Sequence, residues 1–215
     1  MAHCRIPEAE AILDQQFVVL DKGFVQLVDY LGGDERVVQA AHISYRSDNA
    51  ATIRSHEALI DFLIENEHWT PFEQVVFTFR IKLPIFIARQ WVRHRTARIN
   101  EVSGRYSTLQ EEFYVPDFED QQLRESFAHE QESAYKKYRE RINAKIPREI
   151  ARINLPLSLY TEWYWQIDLR NLFNFLKLRL DKSAQKEISQ YAQVILNISH
   201  TVAPLSCHAF QKKVL

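Results

Sequence analysis

Residues 74–91 read QVVFTFRIKLPIFIARQW, and this stretch joins two different hydrophobic periods. In its first half, apolar and polar side chains alternate, which is the pattern of a strand with one buried face. Pro84 then lacks a backbone N–H and has a fixed φ angle, and both suit the first turn of a helix. We therefore predict a half-buried strand over 74–83 and a helix that runs on to Arg95.

The strand period returns at residues 157–167. Helical spacing and capping residues predict helices at 35–44, 56–68, 118–145, 147–153, 168–179, 183–201 and from Pro204. In the longest of these, the expected apolar stripe is Leu123, Phe127, Ala134, Tyr138 and Ile142. Asp34 and Ser55 are the expected N-caps of the first two helices. Residues 1–33 are expected to be irregular, and 96–110 to be loop and extended chain.

Two strands and at least six helices predict an α/β (α+β) domain. The length of 215 residues, with 46% apolar and 26% charged side chains, suits a single domain over 1–215. The net charge of −1 disfavours nucleic acid as the main partner. No apolar run is long enough for a membrane span, and the N-terminus lacks a signal-peptide pattern, so we expect a cytoplasmic protein without membrane contact. The two cysteines show no zinc spacing, and we expect no metal.

Arginine is unusually dense in residues 89–105, RQWVRHRTARINEVSGR. The chain has only four glycines and neither a GxGxxG nor a P-loop motif, so a phosphate would have to be held by side chains such as arginine forks. One interpretation is a solvated helix end, where cations are favoured. However, Trp91 and Val92 attach the segment to the core, and Gly104 allows close backbone approach. We interpret the segment as a binding site for a phosphorylated small molecule.

Two other segments carry polar groups. His68 begins HWTPFE at a helix end, where histidine is more often packed than catalytic. Arg170 and Asn174 lie four residues apart on one helix face, which spacing alone interprets as a solvated face. Ser103 has no oriented His–Asp pair nearby in the sequence, so it suits hydrogen bonding to phosphate better than nucleophilic attack.

Together, these segments resemble the flavin-dependent thymidylate synthases. The family signature is Arg-His-Arg, seven residues, then Ser, and here it reads Arg93-His94-Arg95, TARINEV, Ser103. The flanks that also fit are 68–73, 84–91, 151–165 and 174–188. The resemblance covers roughly residues 37–210. It implies a mixed sheet with surrounding helices, and a homotetramer with FAD at the subunit interfaces.

The resemblance also implies a reaction and its residues. The family methylates dUMP to dTMP, with 5,10-methylenetetrahydrofolate as carbon donor and FAD reduced by NADPH as hydride source. The positions that match dUMP-binding residues are Gln90, Trp91, Val92, Arg93, Glu101, Val102, Ser103, Gly104, Arg105, Arg152 and Arg179. The positions that match flavin contacts are Ser44, Thr70, Arg93, His94, Arg95, Glu101, Asp168, Leu169, Arg170 and Asn174. The catalytic positions are Arg179, held to favour ionisation of uracil N3, together with His68 and Ser103.

The chain departs from the family pattern at four positions. Arg98 stands where serine is common, His42 replaces a common arginine, and Gln74 a common histidine. Asp168 stands where asparagine is common, and an ionised carboxylate cannot donate a hydrogen bond.

Two other classes of function compete with this interpretation. The arginine segment would suit a nucleic-acid-binding module, which would show a steep salt-dependent affinity and no chromophore. His68 and His94 with a carboxylate would suit a metal-dependent hydrolase, although no HExxH motif is present. The colour of the purified protein separates both from a flavoprotein.

Conventional thymidylate synthases activate the pyrimidine with a cysteine, but neither Cys4 nor Cys207 lies near a motif. We expect Cys4→Ala/Cys207→Ala to retain dTMP formation, because arginines would activate the ring electrostatically. Chromatography of the product, beside the wild type, measures this. Complete loss of turnover in a double variant with native circular dichroism would contradict a mechanism without a thiol.

Overall fold

The computed structural model describes residues 5–43 and 55–215, and a five-stranded sheet forms its centre. The strands are β1 (Gln16–Val19), β2 (Gly23–Leu31), β3 (Val76–Pro84), β4 (Arg98–Glu101) and β5 (Tyr160–Asp168). Their order in the sheet is β1-β2-β3-β5-β4, and every pairing among them is antiparallel. The predicted α/β (α+β) class is confirmed, and the sheet expected to be mixed is antiparallel throughout the described residues.

The described residues also form nine helices. They are α1 (Pro7–Glu10), α2 (Asp34–Ile43), α3 (His56–Glu65), α4 (Ile85–Trp91), α5 (Gln121–Asn143), α6 (Arg148–Ala151), α7 (Leu169–Arg179), α8 (Lys186–Val202) and α9 (Pro204–Val214). Short 3-10 turns lie at Thr70–Gln74 and Arg152–Asn154. Within the described part of the chain, no helix is both long and apolar enough to cross a membrane.

The strand predicted from alternation is confirmed in β3. Its core-facing side chains, Phe77, Phe79, Ile81 and Leu83, are fully buried, and the intervening ones are only partly buried. The opposing strand β5 repeats this pattern with Trp163, Trp165 and Ile167. Because directly paired residues share a face, the two strands present one apolar and one polar surface. The apolar surface packs against the helices, and this places the core between the sheet and the helical layer.

The prediction that residues 1–33 are irregular is wrong, because β1 and β2 form a hairpin there. The first five residues of β2 are all buried, so both of its faces are covered and no alternation marks it. β4 was also missed as a strand. Its four residues are all exposed, and only the pairing with β5 makes it regular.

The helix predicted over 118–145 is confirmed as α5, but its apolar stripe is only half used. Tyr138 is fully buried beside Phe113 in a second, small core. Near the start of the helix, Leu123 and Phe127 are 42% and 39% exposed. The first turns of α5 therefore extend beyond the packed body of the protomer.

Of the two predicted helix caps, one is confirmed and one is wrong. Ser55 accepts a hydrogen bond from the Ala58 N–H at its Oγ, 3.2 Å away, and caps α3. Asp34 does not cap α2, because it is the first residue of that helix. Its carboxylate instead accepts the N–H groups of Leu205 and Ser206, at 2.7 and 3.0 Å. Asp34 therefore ties the start of α2 to the start of α9.

We expect Asp34→Ala to lower the free energy of unfolding by about 2 kcal/mol, because two N–H groups and the Ser206 hydroxyl lose their acceptor. The matched control is Ser55→Ala, whose cap is exposed and should cost at most about 1 kcal/mol. Urea unfolding followed by circular dichroism measures both. Equal losses in the two variants would contradict this role of Asp34.

Candidate active site

Burial of Trp91 fixes the arginine-rich segment on the body of the protein. Trp91 is the last residue of α4 and is fully buried, with its ring 4.6 Å from that of Phe175 and 5.1 Å from that of Trp165. The helix predicted to reach Arg95 ends here, because the charged residues that follow cannot continue into the core. The chain turns instead, and the His94 N–H donates to the Trp91 carbonyl oxygen at 3.0 Å.

Arg179, the last residue of α7, meets this turn. Its Nε–H donates to Nε2 of His94 at 3.0 Å, and its Nη2 donates to the main-chain oxygen of Gln90 at 3.2 Å. The Gln90 side chain is bonded in turn to Gln185, with 2.7 Å between Nε2 and Oε1. The end of α4, the turn after it and the end of α7 therefore form one connected group.

Partial burial affects the protonation of His94 and Arg179. Burial first, and the nearby Arg179 cation second, lower the pKa of His94 to about 4, so its imidazole is neutral at pH 7. Burial also lowers the pKa of Arg179, which stays charged because arginine titrates far above neutrality. Arg179 makes no ion pair within residues 5–43 and 55–215. An uncompensated, partly buried cation favours an anionic ligand.

Glu101 and Val102 lie on the edge of the sheet beside β5. Glu101 pairs with Trp163 and accepts the hydroxyl proton of Thr161 at 2.6 Å. The Val102 N–H donates to the Glu162 carbonyl oxygen at 2.9 Å. These bonds hold the strand next to the core and lead it into the turn that contains the signature serine.

The turn after Glu101 contains Arg105 and packs against Arg152. The Ser103 Oγ accepts from the Arg105 N–H at 3.3 Å, and neither histidine nor a carboxylate is bonded to it in the described chain. Gly104 is buried, and a Cβ atom placed on it would lie 3.2 Å from both Cδ and Nη1 of Arg152. The glycine therefore leaves the space in which Arg152 packs against the turn. The absence of a histidine or carboxylate at the Ser103 hydroxyl, among the described residues, supports the interpretation of Ser103 as a hydrogen-bonding residue.

The arginines of this region have no acidic partners of their own. Over the part of the chain that the structure describes, no ion pair involves Arg93, Arg95, Arg105, Arg152 or Arg179. By contrast, Arg80, Arg124 and Arg170 are each paired with a carboxylate. Other arginines of the described chain, such as Arg36 and Arg148, also lack an ion pair, so what distinguishes the signature segment is the density of its arginines along the chain.

A second group of predicted site residues lies at the start of α7. Arg170 forms an ion pair with Glu73, which belongs to the same 3-10 turn as Thr70. Asn174 is exposed one helical turn further along. Roughly 14 Å of helix separates Arg170 from Arg179, so one protomer does not place the two groups in direct contact.

Asp168 and Leu169 are engaged inside the protomer. The Asp168 carboxylate caps α7 by accepting from the main-chain N–H and the side-chain amide of Asn171, at 2.9 and 2.7 Å. Leu169 is fully buried, and its N–H donates to the Val75 carbonyl oxygen at 2.8 Å. The Leu169 side chain is therefore not accessible to a ligand. The departure at Asp168 has a structural reason, since its second carboxylate oxygen accepts from the Asn171 amide, where the amide nitrogen of an asparagine could not accept.

His68 and Ser44 complete the predicted set. The His68 ring is exposed and meets the ring of Phe62 edge-on at 5.8 Å, close to the end of α3. This position belongs with Thr70 rather than with Arg179. Ser44 lies outside the described residues.

Arg98 lies on the polar face of the sheet. Its Nη1 donates to Oε1 of Gln166 at 3.3 Å, and the Gln166 amide donates to Oγ1 of Thr78 at 3.1 Å. These three residues sit opposite one another on β4, β5 and β3. The additional arginine therefore joins a ladder of polar side chains.

Sequence reasoning missed two residues that hold the site in place, Thr161 and Gln185. Thr161 is a buried polar residue at a core-facing position of β5, and such a hydroxyl in an apolar stripe indicates a nearby buried partner. Gln185 showed no such signal. Among the described residues, no group of histidine, cysteine and acidic side chains is arranged to hold a metal ion.

Comparison with known proteins gives a consistent result. The family model for the thymidylate synthase complementing protein matches residues 26–205. The flavin-dependent thymidylate synthase of Treponema denticola is 53% identical, covering 93% of this chain and 83% of that protein. Those of Treponema pallidum and Thermus thermophilus are 52% and 50% identical, covering 98% and 92% of this chain and 76% and 78% of their own length.

Solved structures agree with these relatives. The UMP/dUMP methylase PolB from Streptomyces cacaoi, bound with 5-Br dUMP, matches with a TM-score of 0.83 and 30% identity, covering 92% of this chain and 98% of that one. Its structure bound with 5-Br UMP matches with a TM-score of 0.82. The resemblance read from the signature is thereby confirmed, and the chain belongs to the flavin-dependent thymidylate synthase family.

Proposed function

We propose that this protein catalyses the reductive methylation of dUMP to dTMP. The carbon donor is 5,10-methylenetetrahydrofolate, and the hydride source is FAD reduced by NADPH. One observation carries the proposal beyond family membership, namely the uncompensated guanidinium of Arg179, held by His94 and the Gln90 carbonyl within the family signature.

The uncompensated arginines provide for an anionic nucleotide. Arg93, Arg105 and Arg152 offer guanidinium forks that match a phosphate, and the packing of Arg152 against Gly104 places it at the turn that contains Arg105. Arg179 is then available to contact the uracil ring. A guanidinium beside uracil N3 lowers the pKa of that position and stabilises the ring anion, which makes C5 more nucleophilic.

Cys207 does not offer the alternative route through a thiolate. Cys207 is fully buried, and burial raises its pKa well above the usual value, so it remains a protonated thiol. Cys4 lies outside the described residues. In this proposal, electrostatic activation by Arg179 takes the place of a nucleophilic cysteine.

The residues present fit FAD, which carries a diphosphate and a ring with donors and acceptors. Arg93 and Arg95 are exposed and unpaired within the described chain, and Asn174 offers an exposed amide. When bound and reduced, the flavin supplies the hydride. We place flavin contacts on these residues and on Thr70, Asp168 and Arg170, but not on the buried side chain of Leu169.

Assembly is part of the proposal. Because the Thr70 and Arg170 group lies at one end of α7 and the Arg179 group at the other, a flavin at a subunit interface would bring together groups from different protomers. The number of four subunits rests on the family resemblance alone, and on that basis we propose a homotetramer with FAD at its interfaces.

The purified protein is expected to be yellow and to bleach when NADPH is added without air. With 5,10-methylenetetrahydrofolate present, it should convert dUMP to dTMP, and parallel reactions with UMP test which sugar is accepted. A colourless protein that FAD cannot reconstitute would refute the proposal. Affinity for DNA or RNA in its place would favour a nucleic-acid-binding module.

We expect Arg179→Ala to keep its flavin and to lose dTMP formation by at least about 100-fold, because the cation beside the pyrimidine is gone. Flavin absorbance and product formation are measured on the same sample. The matched control is Arg124→Ala on the exposed start of α5, which should behave like the wild type. Near-normal turnover of Arg179→Ala would remove the role assigned to it.

A further inference from the structure

We propose that His94 is the positioning residue of Arg179, accepting its Nε–H at Nε2 so that the remaining N–H groups of the guanidinium face the bound pyrimidine. The inference rests on the proposed function for the identity of the ligand. The geometry of the pair itself does not depend on that identity.

Two contacts fix the plane of the Arg179 guanidinium. Nε and Nη2 share one edge of the planar group, and these two atoms are bonded to His94 and to the Gln90 carbonyl oxygen, at 3.0 and 3.2 Å. A planar group held by two donors on one edge cannot rotate freely. The Nη1 of Arg179 has no hydrogen-bond partner in the described chain, so its N–H groups remain available to a ligand.

His94 is itself held in place. The His94 ring lies edge-on to the Phe175 ring, with 5.0 Å between centroids. The main-chain N–H of His94 donates to the Trp91 carbonyl oxygen at 3.0 Å. Phe175 lies one helical turn before Arg179 on α7, so the histidine is braced by the same helix whose arginine it orients. A rigid acceptor places a donor more precisely than water would.

The contact determines the protonation of the ring. Arg179 always donates, so Nε2 of His94 must be unprotonated, and a neutral ring then carries its proton on Nδ1. The lowered pKa of His94, about 4, agrees with an imidazole that accepts rather than donates at this position. The Nδ1–H has no partner among the described residues and is available to a second ligand.

This arrangement gives one side chain two separate tasks. Nε2 orients the guanidinium, and Nδ1–H is left for the flavin contact that the family resemblance implies for this position. Loss of the ring should therefore affect the pyrimidine step even where flavin binding is unchanged.

The first test is spectroscopic and needs no turnover. In protein with 15N-labelled histidine and arginine at pH 7, His94 is expected to show the Nδ1–H tautomer, assigned by its loss in His94→Gln. The Arg179 Nε–H, assigned by its loss in Arg179→Lys, should exchange slowly with water. Exchange of the Arg179 Nε–H with water should stay slow in His94→Gln, whose amide oxygen can accept the hydrogen bond, and should become fast in His94→Leu. An Nε2–H tautomer, or unchanged protection in His94→Leu, would overturn the inference.

The second test uses the enzyme with FAD bound. His94→Leu is expected to lower kcat for dTMP formation by about 10- to 100-fold with unchanged flavin content, since the guanidinium is misplaced rather than removed. His94→Gln should recover most of this loss. His208→Leu, an exposed histidine on α9, is the matched control and should equal the wild type.

The outcomes separate the inference from the proposed function. A wild type that binds flavin and forms dTMP, with His94→Leu equally active, would overturn the positioning role alone. Equal defects in His94→Gln and His94→Leu would also overturn it, because the accepting atom would then not matter. A wild type without flavin or dTMP formation would refute the proposed function, while the spectroscopic test would still report on the pair.

Discussion

Burial of the Trp91 ring is the constraint on which the rest of the site depends. Its indole packs against Trp163 and Trp165 of β5 and Phe175 of α7, so it joins the sheet to two helices. Each such aromatic pair adds roughly 0.5–1.5 kcal/mol to the free energy of burial. The three indole N–H groups have no hydrogen-bond partner in the described chain, which costs part of this gain. Burial of the large apolar surfaces of these rings contributes in addition to the pair contacts, and the packed rings hold the following turn at a fixed place.

The apolar side chains packed around Trp91 also determine the electrostatics of His94 and Arg179, which lie beside them. His94 and Arg179 lie where the core meets solvent, and partial burial lowers the pKa of each. In that position a neutral imidazole is a better neighbour for the guanidinium than a carboxylate. A carboxylate would neutralise the cation and leave little attraction for a ligand, whereas the imidazole fixes its orientation and leaves the charge unbalanced.

The sequence predicts those parts of the fold that depend on local order. The alternation in β3 and β5 and the cap at Ser55 arise from neighbours in the chain, so spacing alone reveals them. β2 is covered on both faces and loses the alternating pattern, and β4 becomes a strand only through its partner. The Asp34 carboxylate and the start of α9 are 171 residues apart, and no local pattern connects them.

The same distinction applies to the site. The spacing of Arg93, His94, Arg95 and Ser103 identifies the segment, and the resemblance adds Arg179. The bond between Arg179 and His94 spans 85 residues, and it depends on the angle at which α7 crosses the end of α4. Recognition of the motif therefore identifies the participants, while packing decides which of them touch.

The two arginines of α7 show how packing assigns different tasks to like residues. Arg170 is paired with Glu73, so its charge is largely balanced and its contribution to any ligand is mainly one of shape and hydrogen bonding. Arg179 has no acidic partner in the described chain, so its charge is available to an anion. One helix thus offers a neutralised end and a cationic end, roughly 14 Å apart. If the flavin binds near Arg170 and the nucleotide near Arg179, as we propose from the family resemblance, the two ligands can meet only when the cationic end of one α7 faces the balanced end of another.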